Sequence, residues 1–222
     1  MSPLGAGVVD RALCLLVGYA FGCVLTAEIV SKAYAGKSTA DIGTGNPGMA
    51  NVMGHVGKLP GALTLAGDIV KTVLAVLVSW LLFGDSLGYT ICANYACLGA
   101  VMGHNFPFWK RFKGGKGVTV TCSWMVLGLA LPGVVCDLAG AVTVFLTGWL
   151  PLAAVVIVVV AVPVSFATAG AEVGVLVCIC CALMFSRHWH GLRRIARGEE
   201  KETLKIWGRH RKKDSGGDGG SR

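Results

Sequence analysis

One short segment of the chain, residues 103–121, combines a histidine, several lysines and closely spaced glycines in otherwise apolar surroundings; it reads GHNFPFWKRFKGGKGVTVT. Glycine allows tight turns and lets a ligand approach the main chain, and consecutive exposed N–H groups in such a turn bind anions. A helix that begins at Val118 would add its N-terminal N–H groups and its dipole at the same place. The segment therefore predicts a phosphate-binding site. Its candidate groups are His104, Lys113, Gly114, Gly115 and Lys116.

Two other interpretations of this segment compete with a ligand site. Lys110 and Arg111 are typical of the cytoplasmic flank of a transmembrane helix, and topology alone explains them equally well. Topology does not require the glycines, however, which favours a ligand site around Lys116. A nucleotide-binding P-loop is disfavoured, because Lys110 and Gly117 occupy the positions where that motif needs a glycine and a Ser or Thr.

A second polar stretch, residues 38–57, reads STADIGTGNPGMANVMGHVG and is rich in residues that form turns and side-chain caps. A flexible connector is one interpretation of it. The ordered series of hydroxyl, amide and main-chain N–H groups also suits the oxygens of a phosphate or a polyol. The candidate substrate-binding residues are Thr44, Gly45, Asn46 and Asn51.

The character of the chain changes at Ser186, where a run of basic residues begins that includes His188, a further candidate site residue. Up to Trp207 the pattern predicts an amphipathic helix at the membrane surface, with basic residues toward the lipid head groups. Residues 208–222 are basic and then rich in Gly and Ser, which predicts a disordered tail. Nucleic-acid binding is disfavoured, because the chain carries no pattern of a nucleic-acid-binding fold.

The elements that must position these residues are membrane helices. The chain has 222 residues, of which 54% are hydrophobic and only 14% charged, whereas soluble domains are about 25% charged. Its apolar runs reach the roughly 20 residues that a helix needs to cross a bilayer. We predict an all-α polytopic membrane protein in which about seven transmembrane helices form one domain, residues 1–207. The nine cysteines lie mostly in apolar runs and predict no metal site.

Glycine, proline and charge divide the apolar sequence into spans. These are predicted at approximately 12–33, 59–83, 87–101, 118–131 and 135–146, with two more sharing 150–185 and a break near 167–170. Glu28 lies in the first span, where a charge is costly, and we expect it to orient a neighbouring basic group. Asp68 and Lys71 lie one turn apart on one helix face and predict a self-neutralising pair, with a direct role in the site as the alternative.

The distribution of basic residues predicts the orientation. Lysine and arginine concentrate in the first loop, in the third loop and at the C-terminus. Seven spans put these three segments on one side, which the positive-inside rule makes the cytoplasmic side, with the N-terminus outside. The two polar loops and His188 are therefore expected to share one face of the membrane.

These stretches resemble motifs of the bacterial acyl-phosphate:glycerol-3-phosphate acyltransferase family, often called PlsY, and the similarity covers most of the chain. Residues 43–51 resemble the family's Gly-Ser-Gly-Asn loop, with Thr44 in place of the serine. Residues 103–108 and 112–118 match Gly-His-x-Phe-Pro-x-Phe and Phe-Lys-Gly-Gly-Lys-Gly-Val almost fully. The fitting residues of the C-terminal pattern are His188, Arg194, Gly198 and Glu200.

The resemblance implies a multi-pass enzyme of the bacterial cytoplasmic (inner) membrane that moves an acyl chain from acyl phosphate to glycerol 3-phosphate, forming lysophosphatidic acid. It implies no metal and no cofactor, and membrane lipids are the only other expected partners. Lys116, His104 and His188 are then the candidate catalytic residues. Histidine suits the work of a general base, but the resemblance favours a substrate phosphate as the proton acceptor.

Two positions depart from the family pattern. Gly54 stands where an arginine is expected, with His55 beside it, and Gly191 stands where an asparagine is expected, with His190 beside it. Because arginine binds phosphate with two parallel hydrogen bonds, its loss raises an alternative: a diverged, non-catalytic membrane protein that binds anionic lipid or phosphorylated ligands. A transporter of a phosphorylated solute is a third alternative, although the sequence shows no inverted repeats.

Overall fold

Every regular element of the described part of the chain, residues 3–200, is helical in the computed structural model. The helices are α1 Pro3–Gly22, α2 Thr26–Ala35, α3 Met49–His55, α4 Lys58–Asn105, α5 Val118–Leu129, α6 Leu131–Thr147 and α7 Leu150–Ala196. Two short 3₁₀ turns, Thr39–Asp41 and Phe108–Lys110, lie in the polar loops. The prediction of an all-α protein is confirmed for these residues. The predicted tail, residues 208–222, lies outside them.

Three helical stretches of the described residues are long and apolar enough to cross a membrane: Gly7–Ala35, Lys58–Lys110 and Leu150–Ala196. Helices α5 and α6 are also apolar but have only 12 and 17 residues. A helix needs about 20 residues to cross the hydrocarbon core, and somewhat fewer where the bilayer thins around it. These lengths are those of a membrane protein built from apolar helices.

Glycine interrupts the two longest helices. At Gly88 in α4 φ is 73° and ψ is 162°, and at Gly170 in α7 φ is 89° and ψ is 174°. Glycine adopts such non-helical conformations at little cost. Unbroken, the 48 residues of α4 would extend about 72 Å, more than twice the hydrocarbon thickness of a bilayer. The predicted break near 167–170 is confirmed, and the break predicted between residues 83 and 87 lies slightly later, at Gly88.

The first predicted span, residues 12–33, is wrong as a single helix. Helix α1 ends at Gly22, and α2 begins only after Leu25, which is extended with φ −87° and ψ 90°. The buried ammonium of Lys71 donates to the carbonyl oxygens of Val24 at 2.9 Å and of Gly22 at 3.5 Å. A side chain from α4 thus satisfies backbone groups that the break leaves without helical partners.

Small residues let α1 and α4 pack with their backbones in contact. A Cβ placed on Gly18 would overlap the carbonyl oxygen of Ala96. One placed on Gly22 would overlap that of Ala100. The spacing of four residues on both helices is the small-xxx-small pattern of close membrane-helix pairs. Gly18 and Gly22 are therefore needed for the close packing of α1 against α4.

Helix α7 continues from its apolar part through the basic region to Ala196. The residues from Ser186 onward therefore extend a transmembrane helix, whereas the sequence had predicted a separate helix at the membrane surface. Residues 201–207 of that predicted helix lie outside the described part of the chain. Because α7 is unbroken from Gly170 to Ala196, its last turns carry Arg187 and His188 to the cavity that the first polar loop and the start of α5 also line.

Candidate active site

Three segments that are distant in sequence line one cavity of approximately 790 Å³. They are the first polar loop with α3, the start of α5, and the last turns of α7; Asp68 and His104 of α4 and the first residues of α7 complete the lining. Six of the ten predicted site residues line it, namely Thr44, Asn46, Asn51, His104, Lys116 and His188. The predicted meeting of the two polar loops with the C-terminal segment is therefore observed.

The first loop is held in shape by the side chain of Asn51, which is only 4% exposed. Its Oδ1 accepts a hydrogen bond from the Thr44 N–H at 2.9 Å, and its Nδ2 donates to the carbonyl oxygens of Ile42 at 3.1 Å and Asn46 at 3.0 Å. We predicted that Asn51 binds substrate, but its amide is committed to the loop backbone. Its role is to present Thr44 and Asn46 to the cavity.

Gly45 does not line the cavity. Its N–H donates to the carbonyl oxygen of Ile42 at 2.9 Å, and its φ of 72° lies in the left-handed region. Glycine is therefore needed here to close the turn. Lys113 also lies outside the cavity lining, and it is exposed. The prediction that these two residues bind substrate is not supported by their positions.

The amides of Gly114 and Gly115 are not free to bind phosphate, contrary to the sequence-based expectation. The Gly114 N–H donates to the carbonyl oxygen of Asn105 at 3.1 Å, and the Gly115 N–H donates to that of His104 at 2.9 Å. The pair packs tightly, since a Cβ on Gly115 would overlap the imidazole of His104. These glycines bring the loop backbone against the end of α4 rather than binding a ligand.

Free amide donors occur instead at the start of α5, which begins at Val118 as predicted. The first N–H groups of a helix have no intrahelical partner, and Gly117, Val118 and Thr119 line the cavity. Lys116 lies beside them and also lines the cavity. Burial lowers the pKa of Lys116, the charges of Arg194 and Arg187 lower it further, and Glu200 opposes them. The phosphate-binding arrangement thus lies a few residues later than the glycine pair.

Arg187 is a site residue that sequence reasoning missed. Its guanidinium donates to the carbonyl oxygen of Gly114 at 3.0 Å and to that of Gly115 at 3.0 and 3.2 Å. It also lies over the ring of Phe106, 5.3 Å from the centroid, and lines the cavity. In the sequence, Arg187 is marked only by its position next to His188, because the basic run in which it lies is equally typical of a membrane surface.

His104 is buried at the end of α4 and is 3% exposed. Its Nδ1 lies 2.9 Å from the ammonium of Lys71, which in turn lies 2.7 Å from Oδ1 of Asp68. The predicted pairing of Asp68 with Lys71 is therefore confirmed, and the pair also reaches the site, since both Asp68 and His104 line the cavity. A direct role of the pair in the site stays a prediction.

His188 comes to the cavity from α7 and is 1% exposed. Its Nδ1 lies 2.9 Å from the carbonyl oxygen of Met184, one turn earlier in the same helix. Arg194 lines the cavity nearby and pairs with Glu200 at 2.6 Å. The last turns of α7 and the residues just after it thus bring cationic and anionic groups to the cavity wall.

The first loop is tied to the third by Glu28. Its carboxylate lies 2.7 Å from the ammonium of Lys110 and accepts a hydrogen bond from the Thr39 hydroxyl at 2.5 Å. The expectation that Glu28 orients a basic group is confirmed. The side chain of Lys110 therefore has a structural partner in Glu28.

The histidines beside the two departures from the family pattern both line the cavity. The Nδ1 of His55 lies 3.0 Å from the carbonyl oxygen of Asn51, and His190 is exposed at the cavity wall. Gly191 packs on Pro151, where a Cβ would approach to 2.7 Å. An asparagine at 191 would be crowded against Pro151 on this backbone.

Among residues 3–200, no group of three or more His, Cys, Asp or Glu side chains is placed to hold a metal ion. Six of the nine cysteines are buried, and all nine are free. The cavity lining combines cations, carboxylates, amide donors and imidazoles.

The sequence matches one protein family over most of its length. The model of the family described as glycerol-3-phosphate acyltransferase covers residues 12–198. A glycerol-3-phosphate acyltransferase from Roseobacter denitrificans is 39% identical over 190 residues, which span 85% of this chain and 92% of that protein. Glycerol-3-phosphate acyltransferase 1 from Lactobacillus johnsonii is 44% identical over 117 residues, 53% of this chain and 55% of that protein. The chain thus spans about half the length of the second relative.

Two solved structures share the arrangement of helices. The glycerol 3-phosphate form of PlsY, an integral membrane glycerol 3-phosphate acyltransferase, superposes with a TM-score of 0.77 at 24% identity, covering 88% of this chain and 98% of that one. The lysophosphatidic acid form gives a TM-score of 0.72 at 25% identity, covering 88% and 97%. The fold of this chain is therefore that of an integral membrane protein.

Proposed function

This chain belongs to the glycerol-3-phosphate acyltransferase family, and we propose that it transfers an acyl chain from acyl phosphate to glycerol 3-phosphate. The observation that carries the proposal is the convergence of Thr44, Lys116 and His188 on one cavity. Both substrates carry phosphate, and the cavity is lined by lysine, arginine and the N-terminus of α5. These are groups that bind phosphate oxygens.

The proposed reaction requires positioning and charge stabilisation. The glycerol hydroxyl oxygen attacks the acyl carbonyl carbon, and the bond from that carbon to the phosphate oxygen breaks. The hydroxyl proton leaves with the released phosphate, and the products are lysophosphatidic acid and inorganic phosphate. Holding both substrates together supplies about 7–11 kcal/mol of the barrier reduction. Donors aimed at the developing negative charge of the carbonyl oxygen supply more.

The lining residues divide between the two substrates by their chemistry. Lys116 and the first N–H groups of α5 are assigned to a phosphate group, because a compact cation and fixed amide donors suit it. The hydroxyl of Thr44 and the amide of Asn46 are assigned to the glycerol part of the acceptor. His104 and His188 orient the reacting hydroxyl and carbonyl groups.

The breaks at Gly88 and Gly170 support the finer topology that we propose. They divide α4 and α7 into two apolar segments each, which gives seven apolar segments with α1, α5 and α6. Seven spans place the cavity and the C-terminus on the cytoplasmic side of a bacterial inner membrane and the N-terminus outside, in agreement with the distribution of basic residues. Acyl phosphate, glycerol 3-phosphate and membrane lipids are then the partners.

The test is an assay of the purified full chain in detergent with palmitoyl phosphate and glycerol 3-phosphate, with lysophosphatidic acid measured by mass spectrometry. We expect product that depends on both substrates. If the folded protein gives no product, the proposal is rejected and the non-catalytic alternative is favoured.

Two lysine variants form a matched pair for this assay. Lys116→Ala removes the cation that lines the cavity, and Lys113→Ala removes the exposed cation three residues earlier. We expect Lys116→Ala to lose most of the activity and Lys113→Ala to retain it. Equal losses in the two variants would reject the assignment of Lys116 while leaving the reaction itself unaffected.

A further inference from the structure

The buried ammonium of Lys71 contacts four acceptor atoms. Its Nζ lies 2.9 Å from the carbonyl oxygen of Val24, 3.5 Å from that of Gly22 and 2.9 Å from Nδ1 of His104, and it forms an ion pair with Oδ1 of Asp68 at 2.7 Å. The residue is 4% exposed. An ammonium has three donors and no acceptor, and the neighbouring carboxylate favours its charged form. The contacts of Lys71 are therefore those of a charged donor.

This arrangement decides which nitrogen of His104 carries the proton. Because the ammonium of Lys71 can only donate, Nδ1 of His104 accepts through its lone pair. The single ring proton is then on Nε2, and the ring is uncharged. The Nε2 edge of the ring lies against Gly115, where a Cβ would overlap it, and the residue lines the cavity. His104 thus offers the cavity a donor.

His188 has the opposite arrangement. Its Nδ1 lies 2.9 Å from the carbonyl oxygen of Met184, and a carbonyl oxygen can only accept. The proton is therefore on Nδ1, and in the neutral ring Nε2 keeps its lone pair. His188 also lines the cavity. It thus offers an acceptor where His104 offers a donor.

We propose that Lys71 is a positioning residue that fixes His104 as a hydrogen-bond donor, so that the two buried histidines present opposite tautomers to the same cavity. The roles toward substrate rest on the proposed function. The Nε2–H of His104 donates to a substrate oxygen that becomes more negative during acyl transfer, and Nε2 of His188 accepts from the glycerol hydroxyl. His104 is accordingly excluded as a general base, because its only free nitrogen position already carries the proton.

The test is nitrogen-15 NMR of the full chain labelled on histidine, in detergent micelles and without substrate. The two tautomers give different shifts for Nδ1 and Nε2, and His104→Gln and His188→Gln identify the resonances. We expect His104 to be protonated at Nε2 alone and His188 to be protonated at Nδ1. A His104 ring protonated at Nδ1, or two rings with the same tautomer, overturns the proposal. The readout is independent of the acyl transfer assay, so each can fail without the other.

A double variant tests the part played by Lys71. Asp68→Asn with Lys71→Met removes both buried charges together, so that neither is left unpaired. We expect the His104 resonance to show both tautomers and the His188 resonance to stay unchanged. Thr72→Val is the matched control, since the Thr72 hydroxyl donates to the Asp68 carbonyl oxygen one turn earlier in its own helix. An unchanged His104 tautomer in the double variant overturns the role of Lys71. If the double variant does not fold, the wild-type spectrum still tests whether His104 is protonated at Nε2.

Discussion

The guanidinium of Arg187 donates two hydrogen bonds to the carbonyl oxygen of Gly115, at 3.0 and 3.2 Å. This contact joins the last helix to the loop that starts α5, across more than seventy residues of sequence. The same guanidinium contacts Gly114 and the ring of Phe106. Because Lys116 follows Gly115 immediately in the chain, Arg187 holds the backbone that leads into Lys116.

Arg187→Lys is expected to lower kcat/KM for acyl transfer by about tenfold or more. Lysine keeps the charge but cannot reproduce the planar fork that contacts both carbonyl oxygens and the aromatic ring. Each hydrogen bond from a charged group contributes about 1.5–3 kcal/mol, so losing one is enough for this effect. Steady-state kinetics with varied glycerol 3-phosphate measure it.

Arg193→Lys is the matched control for this change. Arg193 is exposed and lies over the ring of Trp189, 5.5 Å from the centroid, away from the cavity. An exposed substitution changes stability by about 0.5 kcal/mol at most, and we expect kcat/KM to stay within about twofold. Equal effects at 187 and 193 would show that the loop contact has no special importance.

Lys116 should make activity sensitive to alkaline pH. Burial and Arg194 lower its pKa from the ordinary value of 10.5, so its ammonium is lost at a lower pH than that of an ordinary lysine. Phosphate binding requires the ammonium. KM for glycerol 3-phosphate is therefore expected to rise as pH increases through the lowered pKa, and to be constant below it.

Lys116→Arg distinguishes this titration from alkaline denaturation. Arginine stays protonated at every pH that the protein tolerates, so the variant should show no rise in KM over the same range even if its activity is lower at neutral pH. A wild-type profile that matches the variant profile contradicts the prediction. Bound phosphate also favours the ammonium, so glycerol 3-phosphate binding to the wild type should take up protons at alkaline pH.

Gly191 stands at one of the two departures from the family pattern and packs tightly against Pro151. Gly191→Asn places a side chain against Pro151, where even a Cβ approaches to 2.7 Å. We expect a loss of about 1–3 kcal/mol in stability, as in other overpacked sites. Thermal unfolding of the detergent-solubilised protein measures it.

A double-mutant cycle with Pro151→Ala identifies the cause. Removing the proline ring atoms that the new side chain meets should restore part of the stability lost in Gly191→Asn. Additive effects of the two substitutions would mean that Pro151 is not the obstacle. The asparagine would in that case be disfavoured at 191 for another reason.

The sequence predicts the meeting of the loops well because its signals are strong. Long apolar runs alternate with polar loops, and basic residues occur in alternate loops, which together place Thr44, Lys116 and His188 at one end of the helices. Gly170 could be found as a break because glycine and alanine interrupt a long apolar run there. The break before α2 could not be found from the sequence. The carbonyl groups that it leaves without helical partners are satisfied by Lys71, which comes from a helix far away in sequence.

The roles of individual groups within the loops depend on contacts that no local pattern contains. The Gly114 and Gly115 amides suit a phosphate by their chemistry, yet their N–H groups bond to the carbonyl oxygens of Asn105 and His104. Asn51 similarly suits a substrate oxygen but is used to shape its own loop. Arg187 is hidden in a basic run whose composition is equally suitable for lipid head groups. Tertiary structure alone separates these alternatives.

Glu28 and its two lysine partners provide a test of how the first loop is held. Lys110 is 2.7 Å from the Glu28 carboxylate with its side chain 23% exposed, whereas Lys32 is 3.6 Å away and 63% exposed. Breaking a buried pair by removing one partner costs about 3–5 kcal/mol, and an exposed pair contributes about 0–1 kcal/mol.

We expect Lys110→Met to cost about 2 kcal/mol, since that lysine is partly exposed, and Lys32→Met to cost less than about 0.5 kcal/mol. Thermal unfolding compares the two variants, and KM for glycerol 3-phosphate should rise only in Lys110→Met, because that variant alone releases the loop that carries Thr44. Equal destabilisation by both variants would show that Glu28 acts through the charge of its surroundings and not through the contact with Lys110.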